Sequence, residues 1–299
     1  MRTFSRLPAL LLIATLGAAC TTGGSASPTP PPTPVPSPQP TPDPGTYWLR
    51  AMTTQALPPL NVFGVLPMAV ITGDGILVTP APVPTIYPGP AVINLQGRTI
   101  TEAGRLAIIE LARKLGLLGG AADFTGGGIA PGGAVGHIEL TVDGKRSTIS
   151  GNPQAPTGCA TEPCLPTAGT TAAFAELWRR LSDLASWIGP ELGNPSTWDP
   201  PAYAVLIGAA PTPDPVLTQP PVDWPLASSI ALLGVQVANG AARCTTISGA
   251  DAVALRAALG KANMLSQWVQ DPTTSATFGL TVRPMVAGED TCRETFGPA

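Results

Sequence analysis

From Thr171 to Ile188 the apolar residues Phe174, Leu177, Trp178, Leu181, Leu184, Ala185 and Ile188 recur at intervals that place them on one face of a helix. Arg179, Arg180 and Asp183 fall largely outside that stripe, and Pro190 helps to end the segment. A second helix is expected after Thr99-Ile100-Thr101-Glu102, which has the spacing of a capping box. There Leu106, Ile108, Ile109, Leu111, Ala112 and Leu115 leave only a narrow polar stripe of Glu110, Arg113 and Lys114. A helix that apolar is expected to be covered on more than one side.

Strand patterns flank these helices. Tyr47 to Met52 and Leu66 to Thr79 read as strands, and Asp74-Gly75 between apolar neighbours marks a hairpin turn in the second. A second hairpin is expected from Ile138 to Val142, turning at Asp143-Gly144 and returning through Lys145 to Ser150. Pro80–Pro90 and Gly116–Gly136 read as loops. Further along, Tyr203 to Ile207 forms a strand, and Thr246-Ile-Ser-Gly-Ala echoes Thr99-Ile-Thr-Glu-Ala 147 positions earlier. Leu280-Thr-Val likewise echoes Leu140-Thr-Val. The pattern predicts an α+β fold of antiparallel sheets with helices packed on one face, in two similar halves if the echo is a duplication. The halves would be residues 46–190, with a linking helix, and residues 191–299.

The N-terminal residues read differently. Arg2 and Arg6 precede the apolar run Ala9–Leu16, and small residues follow, which is the layout of a secretory signal over residues 1–19. The run is far shorter than the ~20 residues needed to span a bilayer. It ends in Leu16-Gly17-Ala18-Ala19-Cys20, which resembles the lipobox of bacterial lipoproteins. That resemblance implies a diacylglycerol, with chains such as palmitate, in thioether linkage to Cys20 as the first residue of the mature chain. It implies an anchor on the extracytoplasmic face of a cell membrane. Residues 20–45 then form the lipidated end and a tether: ten of the seventeen residues from Pro28 to Pro44 are proline, a composition that favours extended polyproline II.

Setting Cys20 aside leaves Cys159, Cys164, Cys244 and Cys292, an even number suited to two disulfides in an exported domain. Three pairings exist. The favoured one joins Cys159 to Cys164 across a short Pro163-bent loop and Cys244 to Cys292 across a long one. Zinc is disfavoured, because one Cys pair and the single histidine, His137, fall short of a four-ligand set. Removing residues 1–19 leaves 14 basic against 19 acidic side chains, and the acidic chain has no basic cluster to suit nucleic acid.

Chemistry is scarce. His137 opens a predicted strand, with no Gly-x-Ser-x-Gly elbow anywhere to serve it. The glycine run Gly126–Gly133 lacks the Gly-Lys-Ser/Thr ending of a phosphate loop. Glu139, Asp143, Asp199 and Asp223 are carboxylates without a spacing that pairs them. No catalytic residue, cofactor or metal site is therefore expected. Trp198 and Trp224 flank a proline-rich loop, where an aromatic either plugs the core edge or offers a platform to a sugar or peptide. Together these features predict a membrane-tethered extracytoplasmic protein that binds another protein or an envelope polymer. A small-ligand-binding lipoprotein and a histidine-independent hydrolase are the alternatives.

Overall fold

The computed structural model describes residues 46–55, 58–126, 133–157, 164–213, 216–217, 220–270, 276–286 and 288–297. The signal segment, Cys20, the proline tether, Cys159 and residues 127–132 of the glycine run lie outside the described residues. All described residues belong to one compact unit.

The fold is α+β, with two sheets. In chain order the first stretch contains β1 (Tyr47–Gln55), α1 (Pro59–Val62), β2 (Ala69–Thr72), β3 (Ile76–Pro80), β4 (Leu95–Thr99), α2 (Glu102–Lys114), β5 (Ala121–Phe124), β6 (Ala134–Val142) and β7 (Lys145–Gly151). Then follow α3 (Thr171–Ser182), α4 (Leu184–Ile188) and β8 (Ser196–Trp198). The remainder is β9 (Ala202–Ala209), β10 (Val222–Asp223), β11 (Val235–Val237), β12 (Ala242–Ser248), α5 (Gly249–Leu259), β13 (Trp268–Val269), β14 (Thr277–Met285) and α6 (Thr291–Phe296). The first sheet has the order β5-β7-β6-β1-β2-β3-β4-β8, and the second β10-β13-β14-β9-β12-β11. Both are antiparallel except for the parallel pairs β5–β7 and β10–β13.

Both predicted hairpins form. Gly75 takes φ +80°, and Asp143 and Gly144 take +51° and +71°, the left-handed conformations that such short turns require. Helix α2 begins two residues later than the capping-box reading placed it. Thr99 is held in β4 opposite Ile76, so Thr101 is the cap, its hydroxyl accepting from the Gly104 N–H at 3.2 Å. At the other end Gly116 and Leu117 close a Schellman motif on Arg113 and Ala112. The helix also buries one face rather than several: Gly104, Ile108, Ile109 and Ala112 point inward, while Leu106 is 45% exposed.

The predicted helix over 171–188 is two helices. Asp183 leaves helical geometry (φ −138°, ψ 62°), and its carboxylate accepts from the Ser186 N–H at 3.1 Å, so a side chain that competes for backbone donors starts a new helix. The expected Gly116–Gly136 loop contains β5, which pairs with β7, and the start of β6; its weak local pattern announces neither.

One face of the first sheet packs on α2, α3 and α4 through Leu49, Ile71, Leu77, Ile138, Leu140 and Ile149. Over this face Phe174 and Trp178 stack, with centroids 6.0 Å apart, on the paired glycines Gly136 and Gly151. A Cβ on Gly151 would lie 2.5 Å from the Phe174 ring, so helix and sheet approach closely only because neither glycine has a side chain. In the second sheet Tyr203, Val205 and Ile207 face α5, while Ala204 and Leu206 face the opposite side, covered by α6 and by Phe63 just after α1. Burial on both faces explains why Ala202–Ile207 is apolar throughout.

Candidate functional site

The two tryptophans singled out by the sequence are separated by the fold. Trp224 is 6% exposed, meets Trp268 edge-on at 6.2 Å and donates its indole N–H to the Ser228 carbonyl at 2.9 Å. It is a core plug of the second sheet. Trp198, at the end of β8, is half-buried and lies over Gly97 of β4, which pairs with the same strand.

Trp198 forms one wall of a cleft of about 300 Å³ where the two sheets meet. Leu95 of β4 and Pro90 and Asn94 of the loop before it approach from one side, and Tyr203 of β9 with Arg256 and Leu259 of α5 from the other. Helix α5 aims Arg256 into this junction, where it forms an ion pair with Asp199, next in the chain to Trp198. Tyr203 lines the cleft beside the same guanidinium. Burial raises the Tyr203 pKa, with Arg256 pulling it back, so the phenol is a neutral hydrogen-bonding group at ordinary pH. The cleft thus combines an aromatic wall, a guanidinium–carboxylate pair and a phenol, a set that can hold a hydroxyl-rich or planar ligand. Sequence reasoning singled out Trp198; Arg256 and Tyr203 were missed, because only the meeting of α5, β9 and β8 brings them together.

A second polar cluster is buried at the same junction. Arg50 of β1 pairs with Glu294 at 2.9 Å and with Glu289 at 3.5 Å, and Arg283 of β14 pairs with Glu289 at 2.7 Å. Thr291 accepts from Arg283, and Glu289 also accepts from the Val286 N–H. Glu139 joins from β6 with Arg146 at 2.7 Å, and Tyr47 hydrogen-bonds to both. Burial lowers both buried arginines; the carboxylates around Arg50 outweigh it and raise that group, whereas Arg283 stays lowered. Three arginines balance three glutamates, and the cluster ties the first sheet to the C-terminal segment.

The other expected residues are dispersed. His137 lies within β6, bonded through Nε2 to Thr54 at 2.7 Å, and burial lowers its pKa. Asp143 is in a hairpin turn, Asp223 on β10 and Glu139 in the ion cluster. Cys244 and Cys292 form a disulfide that fastens α6 to β12. Cys164 is also disulfide-bonded. Among the described residues no three of His, Cys, Asp and Glu lie close enough to hold a metal ion, and no helix is long and apolar enough to cross a membrane.

The fold is α+β, and the cleft lies where its two sheets meet. Compared with known proteins, the chain matches no family model, no curated protein and no solved structure.

Proposed function

We propose that this protein is a lipid-anchored, extracytoplasmic binding protein, held through Cys20 and the residue 20–45 tether, whose junction cleft grips a segment of an envelope polymer. The cleft is the observation that carries this reading: Trp198 offers a ring face to a sugar, and Arg256, Asp199 and Tyr203 offer hydrogen bonds to its hydroxyls. Two or three acyl chains at ~0.8 kcal/mol per buried methylene would hold the protein firmly, and the proline block would carry the domain clear of the lipid.

The test is sedimentation of the mature protein with purified cell-wall glycan. Trp198→Ala should weaken binding about tenfold, the loss of roughly 1.4 kcal/mol, and Trp224→Phe should not. Equal binding by wild type and Trp198→Ala would end the polymer reading. Mass spectrometry of the membrane-extracted protein should find diacylglycerol on Cys20; an unmodified Cys20 thiol would remove the anchor. The cleft is at the lower end of ligand-pocket volumes, about 300–1,000 Å³, which favours a small-ligand-binding lipoprotein as the second reading. Native mass spectrometry showing a retained small molecule would select it.

A further inference from the structure

The two sheets have four edges, and three of them are guarded. β5 carries Asp123, β8 runs into Asp199-Pro200-Pro201, and β10 contains Asp223 between Pro221 and Pro225. Charge and proline at an edge keep foreign strands from pairing with it. β11 is the fourth edge, and its sequence, Val235-Gln236-Val237, has neither.

This edge is also held rigid from both ends. Arg243 on the neighbouring β12 donates to the carbonyls of Leu232, Leu233 and Gly234 at 3.1, 2.8 and 2.8 Å, clamping the chain that enters β11. Gly234, at φ +76°, crosses so close to β12 that a Cβ there would lie 2.4 Å from the Cys244 carbonyl oxygen. At the exit Ala238, Asn239 and Gly240 take φ of 51°, 56° and 84°. Left-handed geometry is unfavourable for alanine and persists only where the surroundings impose it.

Beside this edge runs a groove of about 830 Å³, between β11 with its turn and helix α6. Val235, Val237 and Phe296 supply apolar walls, and the Cys244–Cys292 disulfide fixes the distance between strand and helix. Asp290 and Arg293 line the same groove: the Asp290 carboxylate caps α6, accepting from the Arg293 backbone N–H at 3.4 Å, while the exposed Arg293 guanidinium has no carboxylate within ion-pair distance among the described residues.

We infer that β11 and this groove form a docking site for an extended peptide segment of a partner protein, which adds as a strand to the second sheet. Backbone hydrogen bonds to β11 supply sequence-tolerant affinity. Side chains alternating along the added strand enter the groove, one apolar residue against Val237 and Phe296 and one acidic residue against Arg293. The preset edge reduces the ordering cost of binding. A second copy is the poorer occupant: two three-residue edges pairing symmetrically would leave the groove beside them empty, and a stable interface needs roughly 800 Å² from each partner. This site is separate from the Trp198 cleft, so the protein would hold a polymer and a partner protein at once.

The experiment pans a displayed library of short random peptides on the purified protein, then measures the selected peptide by calorimetry. Selected sequences should alternate apolar and polar residues and carry an acid. N-methylation at alternate backbone positions, and Gln236→Pro or Val235→Lys in the protein, should each weaken binding by at least about tenfold, while Trp198→Ala leaves it unchanged. Arg293→Ala should weaken acidic peptides selectively. Because Gln236→Pro also removes a backbone donor within the sheet, Val235→Lys, which keeps the backbone, decides if the two disagree. Selection of no alternating peptide, binding indifferent to N-methylation, or a concentration-dependent dimer that Val235→Lys dissolves would each overturn the proposal.

Discussion

The two sheets are built from similar strands but are held differently. The first lies against α2 and α3, helices of thirteen and twelve residues, whose apolar faces make a continuous core with Ile108, Ile109, Phe174, Leu177 and Leu181. The second has α5 on one face; on the other it relies on short helices, the six residues of α6 and the four of α1. Helices that short are marginal by themselves, since nucleation costs more than a few hydrogen bonds return. The second sheet compensates by cross-linking. Cys292 of α6 is bonded to β12, and Glu289 and Glu294 are bonded to Arg283 and Arg50. One sheet is covered by packing, the other by staples, and the difference follows from how much apolar helix is available to each.

That contrast can be broken first at Glu289, which is fully buried between two arginines. Glu289→Ala leaves the buried Arg283 without a carboxylate and Arg50 with Glu294 as its close partner, and urea unfolding should show a loss of about 3–5 kcal/mol. A loss below about 1 kcal/mol would mean that the cluster is incidental. Next, Cys244→Ser with Cys292→Ser opens a link of sequence separation 48 and should cost about 4 kcal/mol on the chain-entropy model. Hydrogen exchange should rise first in α6 and β12; a uniform rise over both sheets would deny that the staple serves the second one. On the packed side, Gly151→Val should drive Phe174 off the sheet at a cost of about 1–3 kcal/mol, read as a lower melting temperature with exchange increased in α3.

The smallest effect is on pH. Burial lowers His137, with Glu139 and Asp123 pulling upward and Arg50 adding to the lowering. Its folded-state pKa is therefore below its unfolded one, so the unfolded chain binds the proton first. This contribution to stability is present above about pH 6.5, the unfolded value, and is lost as pH falls through the folded pKa. Glu294 behaves in the same sense at lower pH: burial raises it, the Arg50 hydrogen bond and charge more than offset that, and its stabilisation is lost as the carboxylate protonates. His137→Gln should flatten the upper part of the stability–pH curve and leave the lower part. Curves that superimpose would show that His137 does not titrate with folding.

Much of the local structure was legible. Asp74-Gly75 and Asp143-Gly144 marked both hairpins because few other residues accept positive φ there. The echo of Thr99–Ala103 in Thr246–Ala250 coincides with two strand-to-helix junctions, with α2 beginning at Glu102 and α5 at Gly249. The break at Asp183 was not legible, since Leu184, Ala185 and Ile188 keep the helical rhythm across it. Neither were the short strands β5, β8, β10, β11 and β13, whose few residues acquire their conformation from the strands beside them.

The chain's own pattern therefore determined the α+β class, the hairpin turns and the main helices, because turn chemistry and apolar spacing act over a few residues. The partner for Cys244, the burial of Trp224 and the half-burial of Trp198 in the cleft wall were settled by tertiary structure. So were the gathering of Arg50, Arg283 and Glu289 and the junction of Trp198 with Arg256. Each depends on residues that stand apart in the sequence, and proximity of that kind exists only once the chain has folded.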